Sequence, residues 1–223
     1  MARPQARPSR RTAPAATKAD PPLFRRGGSE RRGKAADFLV VGLGNPGEDF
    51  ARSRPNLGAE VVTQLAERCG TTLKRSKEKS LAAEVIMSGK HVVLAFPQTY
   101  MNLSGEAVAK LVRRHSIDDP QRVVIVHDEL DLPVGRMRVK VGGGLAGHNG
   151  LKSIVQHLKT DDFVRVRLGV GKPPNAQQGA DHVLKKPSKT DRTEFDVVVQ
   201  EAADAVEMIV SDGAAAAMNR YNG

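Results

Sequence analysis

The sequence predicts an α/β fold: a single domain built on a mixed central β-sheet flanked by helices. Three observations carry that reading. Continuous apolar runs at Phe38 to Leu43 and Val123 to Val126 have the pattern of strands buried on both faces, and Val164 to Val170 supplies a further strand. Stretches of helical period lie between them. Residues 81 to 87 and 91 to 96 read as two further strands joined by the tight turn Ser88-Gly89-Lys90, so the sheet has an antiparallel pair as well as crossovers. With 223 residues, 39% of them hydrophobic, and no internal repeat or linker between 37 and 210, one core suffices.

The first strand ends in Gly42-Leu43-Gly44-Asn45-Pro46-Gly47, which spells GxGxxG. In a dinucleotide fold a helix would start at the last glycine. Such a helix would carry Pro55 in its interior, at a cost of roughly 3 kcal/mol, so residues 44 to 55 are read as an ordered loop leaving a strand end. Helical period begins at Pro55 or Asn56, with Leu57, Val61, Leu65 and Ala66 on one face. The lone cysteine, Cys69, continues that pattern and is expected to be a small buried hydrophobe.

Pro97 stops the second hairpin strand, and Gln98-Thr99-Tyr100-Met101-Asn102 emerges from it. Ser104 is then expected to cap a helix presenting Val108, Leu111 and Val112. His127-Asp128-Glu129-Leu130-Asp131 is expected to leave the end of the next strand; its three carboxylates lack the second acidic cluster that a magnesium site would need. Arg136 to Val141 alternates charged and apolar residues, as in a strand with one wet face. The loop from Gly142 to Gly150 lacks the Lys-Ser/Thr ending of a nucleotide P-loop, yet it feeds a helix N-terminus where backbone donors can receive a phosphate or an ester carbonyl, with His148 and Asn149 at its mouth. A long helix marked by Phe195, Val198, Val199, Ala202, Val206 and Ile209 precedes a short last one at 214 to 217. His91, His115 and His127 read as ordinary strand or surface histidines.

Charge divides the chain in two. Residues 1 to 36 hold ten basic side chains against Asp20 and Glu30, so +8 of the formal +10 sits there. Their Pro, Arg, Ala and Ser composition offers little to bury, and they are expected to be a disordered basic tail preceding a domain over 37–223. Three readings of the tail stand: a solvated spectator, an auxiliary RNA-binding arm, and an organellar transit peptide. No run of about 18 apolar residues suggests a membrane span, and a single cysteine suits a reducing cytoplasm.

The motifs GLGNPG, QTYMN, HDELD and GGGLAGHNGLKSI, in this order and spacing, make the chain from about Phe38 to its C-terminus resemble the bacterial peptidyl-tRNA hydrolase family. The resemblance implies a monomeric, cytoplasmic α/β esterase that acts on tRNA without metal or cofactor and away from membranes. It would cleave the ester between the peptide and the 3′ ribose of tRNA, recycling prematurely released peptidyl-tRNA. It further implies roles for single residues. Asn45 would recognise the peptide beside the ester, Tyr100 and Asn102 would bind substrate, and Asn149 would hold substrate or water. Phe50 falls where a tyrosine usually contacts substrate, Asp128 would orient and support the catalytic base, and His148 and Lys140 are weaker candidates for the RNA side.

The base itself departs from the pattern. Arg-His-Asn is expected and Arg54-Pro55-Asn56 is found, so proline holds the position of the catalytic histidine. Proline can neither accept a proton nor bond to Asp128, and the sequence therefore leaves enzymatic activity open. In one reading the chain is an active hydrolase in which His148 or Asp128 serves water directly, although a carboxylate of ordinary pKa, about 3.9, is a poor base at neutral pH. In another it is a catalytically impaired paralogue that binds the peptidyl-tRNA end. In a third, Pro55 reflects one changed nucleotide, since histidine and proline codons differ by one.

Overall fold

A computed structural model describes residues 34–47, 56–172 and 187–223. Its elements are β1 (Phe38–Gly42), α1 (Leu57–Arg68), β2 (Lys74–Ser76), β3 (Ser80–Met87), β4 (Lys90–Pro97), α2 (Ser104–Arg114), β5 (Val123–Glu129), β6 (Met137–Val141), α3 (Asn149–Leu158), β7 (Val164–Gly169), α4 (Lys189–Asp212) and α5 (Ala214–Tyr221). The strands form one seven-stranded sheet in the order β2-β3-β4-β1-β5-β7-β6. Its four central strands, β4, β1, β5 and β7, are parallel, while β2, β3 and β6 pair antiparallel at the edges. The sheet is therefore mixed, as the hairpin requires.

Alternation along the strands divides the core. Val40, Val124, Val126, Val164 and Val166 face Leu57, Val61 and Leu65 of α1 together with Phe195, Val198 and Val206 of α4. Leu39, Val41, Val123 and Ile125 face Val108 and Leu111 of α2 and Leu151 and Ile154 of α3. Helices thus cover both faces, and the C-terminal ends of β1 and β5 open between them. The chain leaves β1 toward α1 on one face and leaves the adjacent parallel strand β4 toward α2 on the other. Such divergence at adjacent parallel strand ends makes a crevice, the usual place for a ligand in an α/β sheet.

One glycine brings α1 into that crevice. A Cβ on Gly58 would lie 2.3 Å from Val126 O and 2.7 Å from Leu43 N, so only glycine lets the first turn of α1 press against the ends of β5 and β1 together.

Several local expectations change. His127, Asp128 and Glu129 belong to β5 itself, because β7 continues to pair with them through Gly169. Ser104 is the first residue of α2 and not its cap; its hydroxyl donates to Met101 O at 2.8 Å, closing the 3₁₀ turn Met101–Leu103 ahead of the helix. Cys69 is exposed, since it follows the last turn of α1 after the apolar stripe has ended. His115 is buried and not a surface residue: it ends α2, and its Nδ1 lies 3.1 Å from Lys34 O while Ala36 N donates to its carbonyl. β2 has no sequence signal, because Lys74-Arg75-Ser76 is a polar edge strand defined only by its partner β3.

Candidate active site

Asn45, Tyr100, Asn102, Asp128, His148 and Asn149 lie about the C-terminal ends of β1, β4 and β5, whereas Lys140 is on β6 opposite the start of β7, and Phe50 and Pro55 lie outside the described residues. Asn45 follows β1 and is partly buried. Its main chain is clamped by Asn56: Asn45 N donates to Asn56 Oδ1 at 3.0 Å, and Asn56 Nδ2 donates to Asn45 O at 2.9 Å. The two bonds fix the start of the loop against the start of α1.

That clamp removes the natural cap of α1. Asn56 stands at the N-cap position, but its side chain makes no capping bond there. Asp128 supplies the cap from across the sheet. Its Oδ1 accepts the Leu57 N–H at 3.0 Å, possible because Asp128 shares the face of β5 that α1 covers. Burial drives the Asp128 carboxyl well above the usual carboxylate range, and the nearby Glu60 adds to the rise; the Leu57 and Gly58 N–H groups pull it partly back. Neighbouring carboxylates are spent on cations: Glu129 on Arg167 at 3.0 Å, Glu60 on Arg192 at 2.6 Å and Asp131 on Lys172 at 3.0 Å. Among the described residues Asp128 has no cationic partner. It is a carboxylate with raised basicity, held by backbone donors at a strand end.

The second wall comes from Tyr100 to Leu103 and the start of α3. Met101 Sδ and the His148 ring close on Gly150, where a Cβ would meet Sδ at 2.6 Å, so the turn and the helix start are packed together. Tyr100, 75% exposed, and the exposed Asn102 stand free of the core. Neither side chain caps a helix. His148 is the N-cap of α3, with Nδ1 accepting from Gly150 N at 3.1 Å and Leu151 N at 3.3 Å. Both bonds require an unprotonated Nδ1, which places the ring proton on Nε2. Burial pushes the His148 pKa down to about 4, with Arg165 opposing its charge further and Glu129 only partly offsetting them. Asn149 opens α3 and is exposed beside it.

Behind this wall lies a group of cations that the motifs alone do not reveal. On the antiparallel pair β6 and β7, Arg138 stands opposite Arg167 and Lys140 opposite Arg165, a like-charge arrangement that costs stability unless an anion answers it. Glu129 answers Arg167 alone. Arg165, buried, has no carboxylate in ion-pair range among the described residues: its guanidinium donates to Gly144 O and Gly143 O, each at 2.9 Å, and to Gly142 O. The alternation in Arg165-Val166-Arg167 was the available signal.

Comparison with known proteins decides the kinship. The family profile described as peptidyl-tRNA hydrolase matches residues 39–223. The chain belongs to this family. A peptidyl-tRNA hydrolase of Rhodococcus erythropolis is 48% identical over 187 residues, spanning 82% of this chain and 97% of that protein. One from Chloroflexus aggregans is 46% identical over 185 residues, spanning 83% of this chain and 98% of its own length. A crystal structure of an Arg119Gln mutant of peptidyl-tRNA hydrolase from Acinetobacter baumannii superposes with a TM-score of 0.79 at 37% identity, covering 88% of this chain and 98% of that one. Membership in the peptidyl-tRNA hydrolase family thus extends over the whole described sheet, and the basic residues before 39 lie outside the match.

Proposed function

We propose that the chain is a cytoplasmic, monomeric peptidyl-tRNA hydrolase that cleaves the ester between a peptide and the 3′ ribose of tRNA, with Asp128 taking the proton of the attacking water. The observation that carries the reading is the Asp128 carboxylate at the end of β5, held by the Leu57 N–H and, among the described residues, without a cation, its pKa raised by burial.

His148 is unsuited to that task. To take a proton on Nε2 it would have to carry its own on Nδ1, and both bonds that cap α3 would be lost. Its Nε2–H is instead a donor. With the amides of Asn45, Asn102 and Asn149 it offers neutral hydrogen bonds to the ester and its developing oxyanion, which add no charge to the site. The exposed Tyr100 ring supplies a flat apolar surface at the same mouth. Lys140, Arg138, Arg165 and Arg167 furnish positive charge for the phosphates of the RNA.

The test is hydrolysis of an N-acetylated aminoacyl-tRNA, followed by release of free tRNA, beside the same ester with a free amino group. The proposal expects cleavage of the blocked ester in preference to the free one, with affinity falling steeply as salt rises. Absence of cleavage with intact binding would overturn it.

A further inference from the structure

His127 lies on the face of β5 opposite Asp128 and is fully buried. Its Nδ1 is 2.8 Å from Asp128 O. A carbonyl can only accept, so Nδ1 carries the proton and Nε2 keeps a lone pair. That Nε2 has no hydrogen-bond partner among the described residues. An orphaned buried acceptor costs its lost hydration, a cost that a leucine or phenylalanine filling the same space would avoid. Packing alone therefore does not account for a histidine at 127.

The ring it packs against is His148. The two centroids are 4.8 Å apart and the planes cross at 76°, an edge-to-face contact that leaves the His148 ring little freedom to turn. Burial disfavours charge on both rings, neighbouring cations add to that, and one carboxylate opposes it on His148. Arg165 and Arg167 on β7 oppose charge on His127, Arg165 also opposes it on His148, and Glu129 on β5, the carboxylate that faces His148, is already bound to Arg167.

We infer that His127 is a positioning residue: with its own ring anchored through Nδ1 to Asp128 O, it packs edge-to-face on His148 and holds that ring in the orientation that caps α3 through Nδ1 and presents an Nε2–H donor to the substrate groove. The inference rests on the reading of this groove as the site for the peptidyl-tRNA end, and it adds a buried residue that touches no substrate. A turned or tautomerised His148 would give up α3's first N–H groups and offer the ester a lone pair where a donor is needed.

Histidine ¹⁵N spectra of the full-length, unliganded protein test this independently of turnover. His148 is expected as the neutral Nε2–H tautomer near neutral pH; an Nδ1–H tautomer, or a mixture of the two, overturns the inference. His127→Phe keeps the ring and removes both nitrogens. It is expected to produce the tautomer mixture and to weaken binding of an amide-linked analogue of the peptidyl-tRNA 3′ end by about fivefold or more, within the range of coupling between contacting residues. In a His148→Asn background, where asparagine still caps α3, the same change should have no further effect. An equal loss with and without His148 would show that the two act separately and would sink the inference. Should His127→Phe fail to fold, the wild-type tautomer still decides it. Failure of the analogue to bind the wild type would count against the groove and not against the His127–His148 pair.

Discussion

Asp128 Oδ1 accepts the main-chain N–H of Leu57 at 3.0 Å, so the first turn of α1 is capped from β5 and not by its own Asn56. The same carboxylate is the proposed base. Structure and chemistry therefore meet on one side chain, and substitutions can separate them. Burial raises the folded pKa of Asp128, so its ionised form detracts from stability above that pKa and the penalty is relieved as pH falls through it. The substitution Asp128→Asn would keep the acceptor without the charge.

At neutral pH, Asp128→Asn is expected to be at least as stable as the wild type in urea unfolding, and Asp128→Ala to fall below Asp128→Asn by about 1 kcal/mol, the usual worth of a cap. An Asn variant as weak as the Ala variant would show that the charge, and not the acceptor, holds α1.

The pH dependence of stability has the opposite sign for His148. Its folded pKa of about 4 lies below the ordinary value of 6.5, so across that window the unfolded chain binds more protons and stability falls as pH falls. The buried His127 and His115 act in the same direction. His148→Asn, which retains a cap for α3, should flatten the loss measured by urea unfolding between neutral pH and pH of about 4. An unchanged slope would mean that His148 is not buried in its neutral form.

The Asn45–Asn56 clamp predicts a local effect. Asn56→Ala removes two hydrogen bonds, each worth about 1 kcal/mol, and releases the loop that carries Asn45. Stability should drop by about 1–2 kcal/mol and KM for the blocked aminoacyl-tRNA should rise. If KM is unchanged, the position of Asn45 does not matter to substrate.

Much of this fold was legible because β1 and the first four residues of β5 are continuous apolar runs, β7 carries regularly spaced apolar residues, and α1, α2 and α4 carry clear apolar stripes. Asn45, Tyr100, Asn102, Asp128, His148 and Asn149 were visible as polar residues at element boundaries. What escaped were relationships across the sheet. Nothing in Asn56 says that its amide turns back to Asn45, nor in Asp128 that it caps a helix 71 residues earlier in the chain. His127 looked like any strand histidine until its ring met His148. Cys69 and Ser104 were misplaced by one residue because periodicity does not mark where a helix begins or ends.

Pro55 lies outside the described residues, at the position where the resemblance implies the catalytic histidine. Pro55→His is expected to raise turnover, within the roughly 10²- to 10⁴-fold that a positioned general base contributes. Single-turnover cleavage of the blocked ester is the readout. No gain in rate would mean that Asp128 alone already meets the need, or that the loop directs residue 55 elsewhere.

The most direct measurement is the single-turnover rate of wild type and Asp128→Asn on one N-acetylated aminoacyl-tRNA, as a function of pH and at saturating enzyme. If Asp128 takes the proton from water, the Asn variant binds as the wild type does and loses at least about 10²-fold in rate. The wild-type rate then climbs with pH through an acid limb displaced above the ordinary carboxylate range. An Asn variant that retains the wild-type rate, with the same acid limb, would contradict the account.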